Sequence, residues 1–176
     1  MFELLPMRAI PPMLLGTLAY WLIGFSSDIN KFFLFLAVLL LVNLVATSIC
    51  LAISTVVPSI SAGNLISVIL MLFFLMFGGF LVSNVGVPPY VIWCRYLSFF
   101  NYALEIMAAN ELTGLTVIFT ASGTNDSTAL NGSELLRQFG FDAAHMIRDF
   151  MILLGFLVAY LLIGYLLLRF AVREKR

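Results

Sequence analysis

Residues 32–94 contain no Asp, Glu, Lys, Arg or His, which leaves 63 consecutive positions without a charged residue or a histidine. A soluble domain covers its surface mainly with Lys, Glu, Arg and Asp. The whole chain of 176 residues is 10% charged, whereas an average soluble domain has about 25% charged residues. The sequence therefore predicts an integral membrane protein, and the lengths of its apolar segments favour an all-α fold.

Four apolar segments approach the length of a membrane-spanning helix, which needs roughly 20 residues to cross about 30 Å of hydrocarbon. The predicted spans are 10–25, 32–57, 65–82 and 150–168. The first is the shortest, so a re-entrant segment is an alternative there, and a secretory signal is a weaker one. Its Pro11-Pro12 pair is expected in the first turn of the helix, where a missing N–H costs nothing.

A fifth apolar segment, 88–112, mixes many aromatic residues with three charged ones, Arg95, Glu105 and Glu111. Trp and Tyr are enriched at the level of the lipid headgroups, and three charges make a lipid-facing span costly. The segment is therefore predicted to form two short helices that enter the outer leaflet and return, with a bend at 98–101. Each glutamate is expected to reach water or to pair with Arg95, not to act as a catalytic acid.

The predicted orientation follows from the cytosolic tail, 169–176, and from the external loop, 113–148. Four basic residues lie in the tail, and basic residues beside a span favour the cytosolic side. The loop contains two glycosylation sequons, at Asn125 and Asn131, and such sequons are modified in secreted or extracellular segments. The two observations agree, because they lie at opposite ends of the last predicted span.

The charged and reactive residues exclude several classes of function. Lys plus Arg and Asp plus Glu number nine each, so there is no basic stripe of the kind that binds nucleic acid. One histidine and two cysteines are too few for a His/Cys metal site. Neither Lys31 nor Lys175 follows the glycine pattern of a phosphate-binding loop. We therefore expect no catalytic residue, metal or cofactor on this chain, and an energy source elsewhere.

The third predicted span, 65–82, is rich in Leu, Met and Phe. Large, adaptable side chains suit a pocket for an apolar ligand. The same residue types also face lipid, and composition alone favours the lipid-facing interpretation. The charge-free spans disfavour an ion-coupled carrier or a passive channel, which usually place ionisable groups near the bilayer midplane.

A series of motifs begins at the end of this span and continues after it. They are Phe77-Gly78-Gly79-Phe80-Leu81-Val82, Val87-Pro88-Pro89-Tyr90, Trp93-Cys94-Arg95-Tyr96-Leu97-Ser98 and Asn110-Glu111-Leu112. A loop with sequons and a last apolar span complete the order. This arrangement resembles the C-terminal part of the ABC-2 type membrane domain in G-subfamily ABC transporters, of the White and multidrug half-transporter type. The resemblance covers nearly the whole chain.

The resemblance implies that the chain corresponds to spans three to six of a membrane domain that works as a homodimer or heterodimer of half-transporters. An ATP-binding domain, in cis or in trans, would hold ATP and Mg. The implied substrate cavity consists of Val68, Met71, Leu72 and Leu75, and the implied outer valve of Phe80 and Leu81.

Three features depart from the family's pattern. The ATP-binding domain and the first two spans lie outside this sequence, the loop lacks the cysteines of many relatives, and the valve pair is Phe-Leu in place of two leucines.

The resulting hypothesis is the membrane-domain portion of an ATP-driven exporter of hydrophobic or amphipathic compounds (a lipid, sterol or xenobiotic) that works by alternating access. Its partners would be a second half-transporter, membrane lipid and a small hydrophobic substrate, and no nucleic acid. The alternative is a truncated, non-transporting subunit that dimerises with a full half-transporter and regulates it. The family resemblance makes a multi-pass protein of the plasma membrane the default.

Overall fold

The computed structural model describes residues 4–25, 28–78, 92–113, 116–120, 127–132, 134, 136, 141 and 145–174. The elements within these ranges are α1 (Leu4–Ile23), α2 (Ile29–Val56), α3 (Ile60–Met76), α4 (Ile92–Leu97), α5 (Phe99–Leu112), β1 (Thr116–Thr120), β2 (Ser127–Asn131) and α6 (Met146–Glu174). The predicted helical class is confirmed. An antiparallel hairpin of β1 and β2 lies in the segment that was predicted only as an external loop.

The two longest helices, α2 and α6, have the length and surface of membrane spans. They contain 28 and 29 residues, which is about 42 Å at roughly 1.5 Å per residue. Only 28% of the most apolar window of α2 and 11% of that of α6 are buried. A surface helix of a soluble protein instead turns its apolar stripe toward the core. The outward-facing apolar side chains therefore agree with a membrane protein.

All four long helices begin three to six residues before the predicted spans. Charged residues that end an apolar run, such as Lys31 and Asp149, still belong to the helix. The largest difference is in α1, where Pro11 and Pro12 lie inside the helix and not in its first turn. Prolines are tolerated inside membrane helices because neighbouring groups compensate for the backbone hydrogen bonds that they remove.

Helices α2 and α6 run side by side in the same direction. Near their beginnings, Leu34 and Met146 line one small groove. Near their ends, a Cβ built on Gly164 would lie 3.9 Å from the backbone of Ala52. The turn between α2 and α3 and the end of α6 therefore lie at one end of the bundle, and the beginnings of α2 and α6 lie at the other.

Helix α5 occupies the centre of the bundle. Nine of its 14 residues are buried, and it packs against α2 and α6. The core consists of Val38, Val45, Ile49, Phe74, Phe99, Tyr102, Ala103, Ile106 and Leu153. The predicted pair of short helices is present as α4 and α5, and the break between them is at Ser98 alone, because Asn101 already belongs to α5. Residues 88–91 of the predicted segment lie outside the described ranges.

Candidate functional site

The predicted cavity face lies along α3. Val68, Leu72 and Leu75 are 52%, 59% and 41% exposed, and their spacing of four and three residues places them on one side of the helix. Met71 differs from them, because it is partly buried and packs against the core. The structure thus leaves three of the four residues on an uncovered apolar face and turns the fourth toward the bundle.

A shallow groove of about 390 Å³ lies beside this helix, between α2, α3 and α6. Its lining includes Ile53, Leu70 and Ile163, and Tyr160 is its one residue with a polar side chain. Apolar contact is therefore the main interaction that the groove and the α3 face can offer to a ligand, a lipid or another helix. Among the described residues, no three His, Cys, Asp or Glu side chains come close enough to hold a metal ion.

The three charged residues of the predicted re-entrant segment have different surroundings. Arg95 is partly buried, and its Nε donates a hydrogen bond of 3.0 Å to Oδ1 of Asn101. Glu105 and Glu111 are only 5% and 6% exposed. Of the two expected alternatives, contact with water is therefore excluded for both glutamates, and pairing with Arg95 stays a prediction. The physical reason is that α5 is covered by neighbouring helices along nearly its whole length, which buries even its charged positions.

Glu111 belongs to a polar cluster where α1, α2 and α5 meet. Its Oε1 accepts hydrogen bonds from the hydroxyl of Tyr20, at 3.2 Å, and from Nδ2 of Asn110, at 3.0 Å. The same Nδ2 donates to the carbonyl oxygen of Lys31, and the Lys31 ammonium donates to the carbonyl oxygen of Thr113. These bonds tie the ends of three helices together at the end of the bundle opposite the α2–α3 turn.

Sequence reasoning did not connect Tyr20 or Lys31 with this cluster. A usable signal was the adjacent polar pair Asn110-Glu111 at the end of an otherwise apolar helix, because buried polar groups require partners from neighbouring elements. The identity of those partners depends on packing between segments far apart in the chain.

Asp149, in the first turn of α6, is fully buried. Its Oδ1 lies 3.1 Å from Nε of Arg148, whose side chain is 56% exposed. Its Oδ2 has no hydrogen-bond partner among the residues that the structure describes. The carboxylate is therefore a buried charge with one half-exposed partner, and sequence analysis did not identify it.

Four predicted positions concern the valve and the sequons. Phe80, Leu81 and Asn125 lie outside the described residues. Asn131 is the last residue of β2 and is exposed. Its position leaves the second sequon asparagine accessible to solvent.

Comparison with known proteins identifies the family. Residues 1–112 match the family described as ABC-2 type transporter, which is more than half of the chain. The chain belongs to the ABC-2 type transporter family. The remaining part of this ABC-2 chain, residues 110–176, matches the family described as CDR ABC transporter.

Individual relatives confirm the predicted resemblance to the G subfamily. ABC transporter G family member 24 of Dictyostelium discoideum is 40% identical over 174 residues, which cover 99% of this chain and 15% of the relative. Protein white of Drosophila melanogaster is 31% identical over 97% of this chain and 25% of its own length. The broad substrate specificity ATP-binding cassette transporter ABCG2 of Mus musculus is 28% identical over 97% of this chain and 27% of its own length.

The ABC-2 chain therefore spans only about a seventh to a quarter of the length of these relatives. Two of these relatives are named as transporters, and those names refer to proteins of that greater length. What the comparisons establish for this chain is a membrane domain of the ABC-2 type.

Proposed function

We propose that this chain is the membrane-domain portion of an ATP-driven exporter of hydrophobic or amphipathic compounds, which works by alternating access in a dimer of half-transporters. The observation that carries the proposal is the uncovered apolar face of α3, formed by Val68, Leu72 and Leu75, in a chain of the ABC-2 family. Such a face binds an apolar compound by contact area and gives little selectivity from hydrogen bonds.

The energy for transport would come from ATP and Mg on a nucleotide-binding domain in the same chain or a partner chain. The absence of charged residues from 32–94 supports an external source of energy and not coupling to an ion gradient. In the proposed orientation, the turn between α2 and α3 and the end of α6 are cytosolic, in a multi-pass protein of the plasma membrane. The basic residues of 169–176 support this orientation.

The test uses the full-length transporter reconstituted in proteoliposomes, with ATP hydrolysis measured against a panel of sterols and amphipathic drugs. Leu72→Ala removes apolar contact area that is worth about 1.5–3 kcal/mol when the bound compound buries it fully. We therefore expect the apparent affinity for a stimulating compound to fall about tenfold or more. Leu162→Ala is the matched control, because Leu162 is similarly exposed, at 56% against 59%, but lies on α6.

If the two substitutions had equal effects on the apparent affinity, the assignment of α3 to the substrate site would be refuted. A wild-type transporter that hydrolyses ATP without moving any compound of the panel would instead favour the non-transporting subunit.

A further inference from the structure

Helix α3 packs against the end of α2 with its N-terminal turns and against α5 at its C-terminal end. Phe74 is its one buried residue, and the Phe74 ring contacts the ring of Phe99 of α5 edge to face, with centroids 5.5 Å apart. The next turns toward the N-terminus make only partial contacts with the core, through Leu70 and Met71. The proposed substrate face therefore belongs to a helix whose buried residue lies near its C-terminal end, at the contact with α5.

A hydrogen bond between the two helices reinforces this attachment. The carbonyl oxygens of the last turn of a helix lack the amide donors that continue the helical pattern. At the end of α3, the N–H of Gly78 donates to the carbonyl oxygen of Leu75 and not to that of Phe74. The hydroxyl of Ser98 supplies a donor, because its Oγ lies 2.6 Å from the Phe74 carbonyl oxygen. Ser98 is fully buried, so water cannot replace it.

Gly78 brings the two backbones into close contact at the same place. A Cβ added to Gly78 would lie 3.0 Å from Cβ of Phe100 and 3.1 Å from the carbonyl oxygen of Leu75. Such distances are shorter than normal carbon contacts, and Cβ and backbone atoms cannot move aside as a flexible side-chain end can. Glycine at this position therefore allows the close approach of α3 to the beginning of α5.

We infer that these contacts, which we name the α3–α5 joint (Phe74, Gly78, Ser98, Phe99 and Phe100), form the pivot about which α3 moves during transport. Helix α5 is buried along most of its length and is therefore a fixed support. Helix α3 is exposed over most of its surface and is the helix that tilts in this inference. Ser98 acts as a positioning residue, because it touches the carbonyl group of α3 and not the proposed substrate. The inference rests on the proposed function.

The test compares Ser98→Ala with Ser48→Ala in the full-length transporter in proteoliposomes. Ser48 is the matched control, because it is also buried, at 3% exposure, and also donates to a backbone carbonyl, that of Leu44, but within one helix. Both substitutions remove a buried hydroxyl group, so similar losses of thermal stability are expected. The deciding quantity is the number of substrate molecules transported for each ATP hydrolysed.

We expect Ser98→Ala to lower this coupling ratio at least threefold and Ser48→Ala to leave it unchanged. Ser98→Cys, which keeps a weak donor of similar size, should recover a large part of the ratio. Equal coupling ratios in Ser98→Ala and wild type, or an equal fall in the two alanine variants, would overturn the inference. If Ser98→Ala does not fold, Phe74→Leu, which deletes the ring contact with Phe99 and keeps an apolar side chain, decides the question by the same ratio.

A wild-type protein without ATP-driven transport would refute the proposed function itself. That result differs from loss of coupling in the variants alone, so the two failures are distinguishable.

Discussion

The hydroxyl of Tyr20 donates a hydrogen bond to Oε1 of Glu111 across 3.2 Å, although the two residues lie 91 positions apart. Both side chains are buried. The ring of Tyr20 also contacts Phe25, Phe32 and Phe35. Tyr20 therefore belongs to an aromatic cluster and also donates a hydrogen bond to a buried carboxylate. This contact joins α1 to the central helix α5, which otherwise packs mainly against α2 and α6.

Removal of the Tyr20 hydroxyl should therefore destabilise the protein. Tyr20→Phe keeps the aromatic contacts and deletes one donor to a buried carboxylate, a loss of about 1–3 kcal/mol. In a chain of this size, the melting temperature changes by about 2–4 °C for each kcal/mol. Thermal unfolding in detergent should show the decrease, whereas Tyr165→Phe, at a position 63% exposed, should leave the melting temperature unchanged. Equal shifts would show that the Tyr20–Glu111 bond contributes nothing measurable.

Asp149 should behave in the opposite way. A buried charge with an imperfect partner costs several kcal/mol, and its favourable interaction with the helix N-terminus recovers at most about 2 kcal/mol. Asp149→Asn removes the charge and keeps the shape, so we expect a higher melting temperature, by about 2–4 °C for each kcal/mol gained. Arg169→Gln, which removes an exposed charge at the other end of α6, serves as the control and should change little. A lower melting temperature for Asp149→Asn would show that the Arg148–Asp149 pair stabilises the fold.

The proposed external position of the hairpin can be tested through its sequons. Expressed in a glycosylating cell, the chain should migrate faster after glycosidase treatment, and Asn131→Gln combined with Asn125→Gln should abolish the difference. Ser59→Asn creates a new sequon with Ile60 and Ser61 in the turn between α2 and α3, at the opposite end of the bundle. In the double-glutamine background this variant should remain unmodified. A glycan on it would reverse the proposed orientation.

Composition was sufficient to locate the long helices, because a membrane span is specified by the apolar character of many residues together. The predicted bend at 98–101 includes Ser98, where the structure separates α4 from α5, but it extends three residues into α5. The hairpin was missed, although Thr116–Thr120 consists of β-branched and aromatic residues, which favour a strand.

The contacts that organise the site could not be predicted in this way. The Ser98–Phe74 and Tyr20–Glu111 hydrogen bonds depend on how distant helices pack. The burial of Glu105 likewise follows from the central position of α5, which no local pattern reveals. The residues of one helix do not show which distant helix packs against it.

The packing of α2 against α6 gives the most direct test of this arrangement, because α6 contains two glycines with different surroundings. A Cβ added to Gly164 would lie 3.9 Å from Ala52, an ordinary contact that leaves no room for a larger side chain. A Cβ added to Gly155 would meet nothing within 4 Å. Gly164→Leu should therefore destabilise the protein by about 1–3 kcal/mol through overpacking, whereas Gly164→Ala and Gly155→Leu should be tolerated. Melting temperatures in detergent would measure all three variants. If Gly155→Leu lowered the melting temperature as much as Gly164→Leu, leucine would disturb α6 equally at a packed and an unpacked position. That result would refute the close approach of α2 and α6 at Ala52.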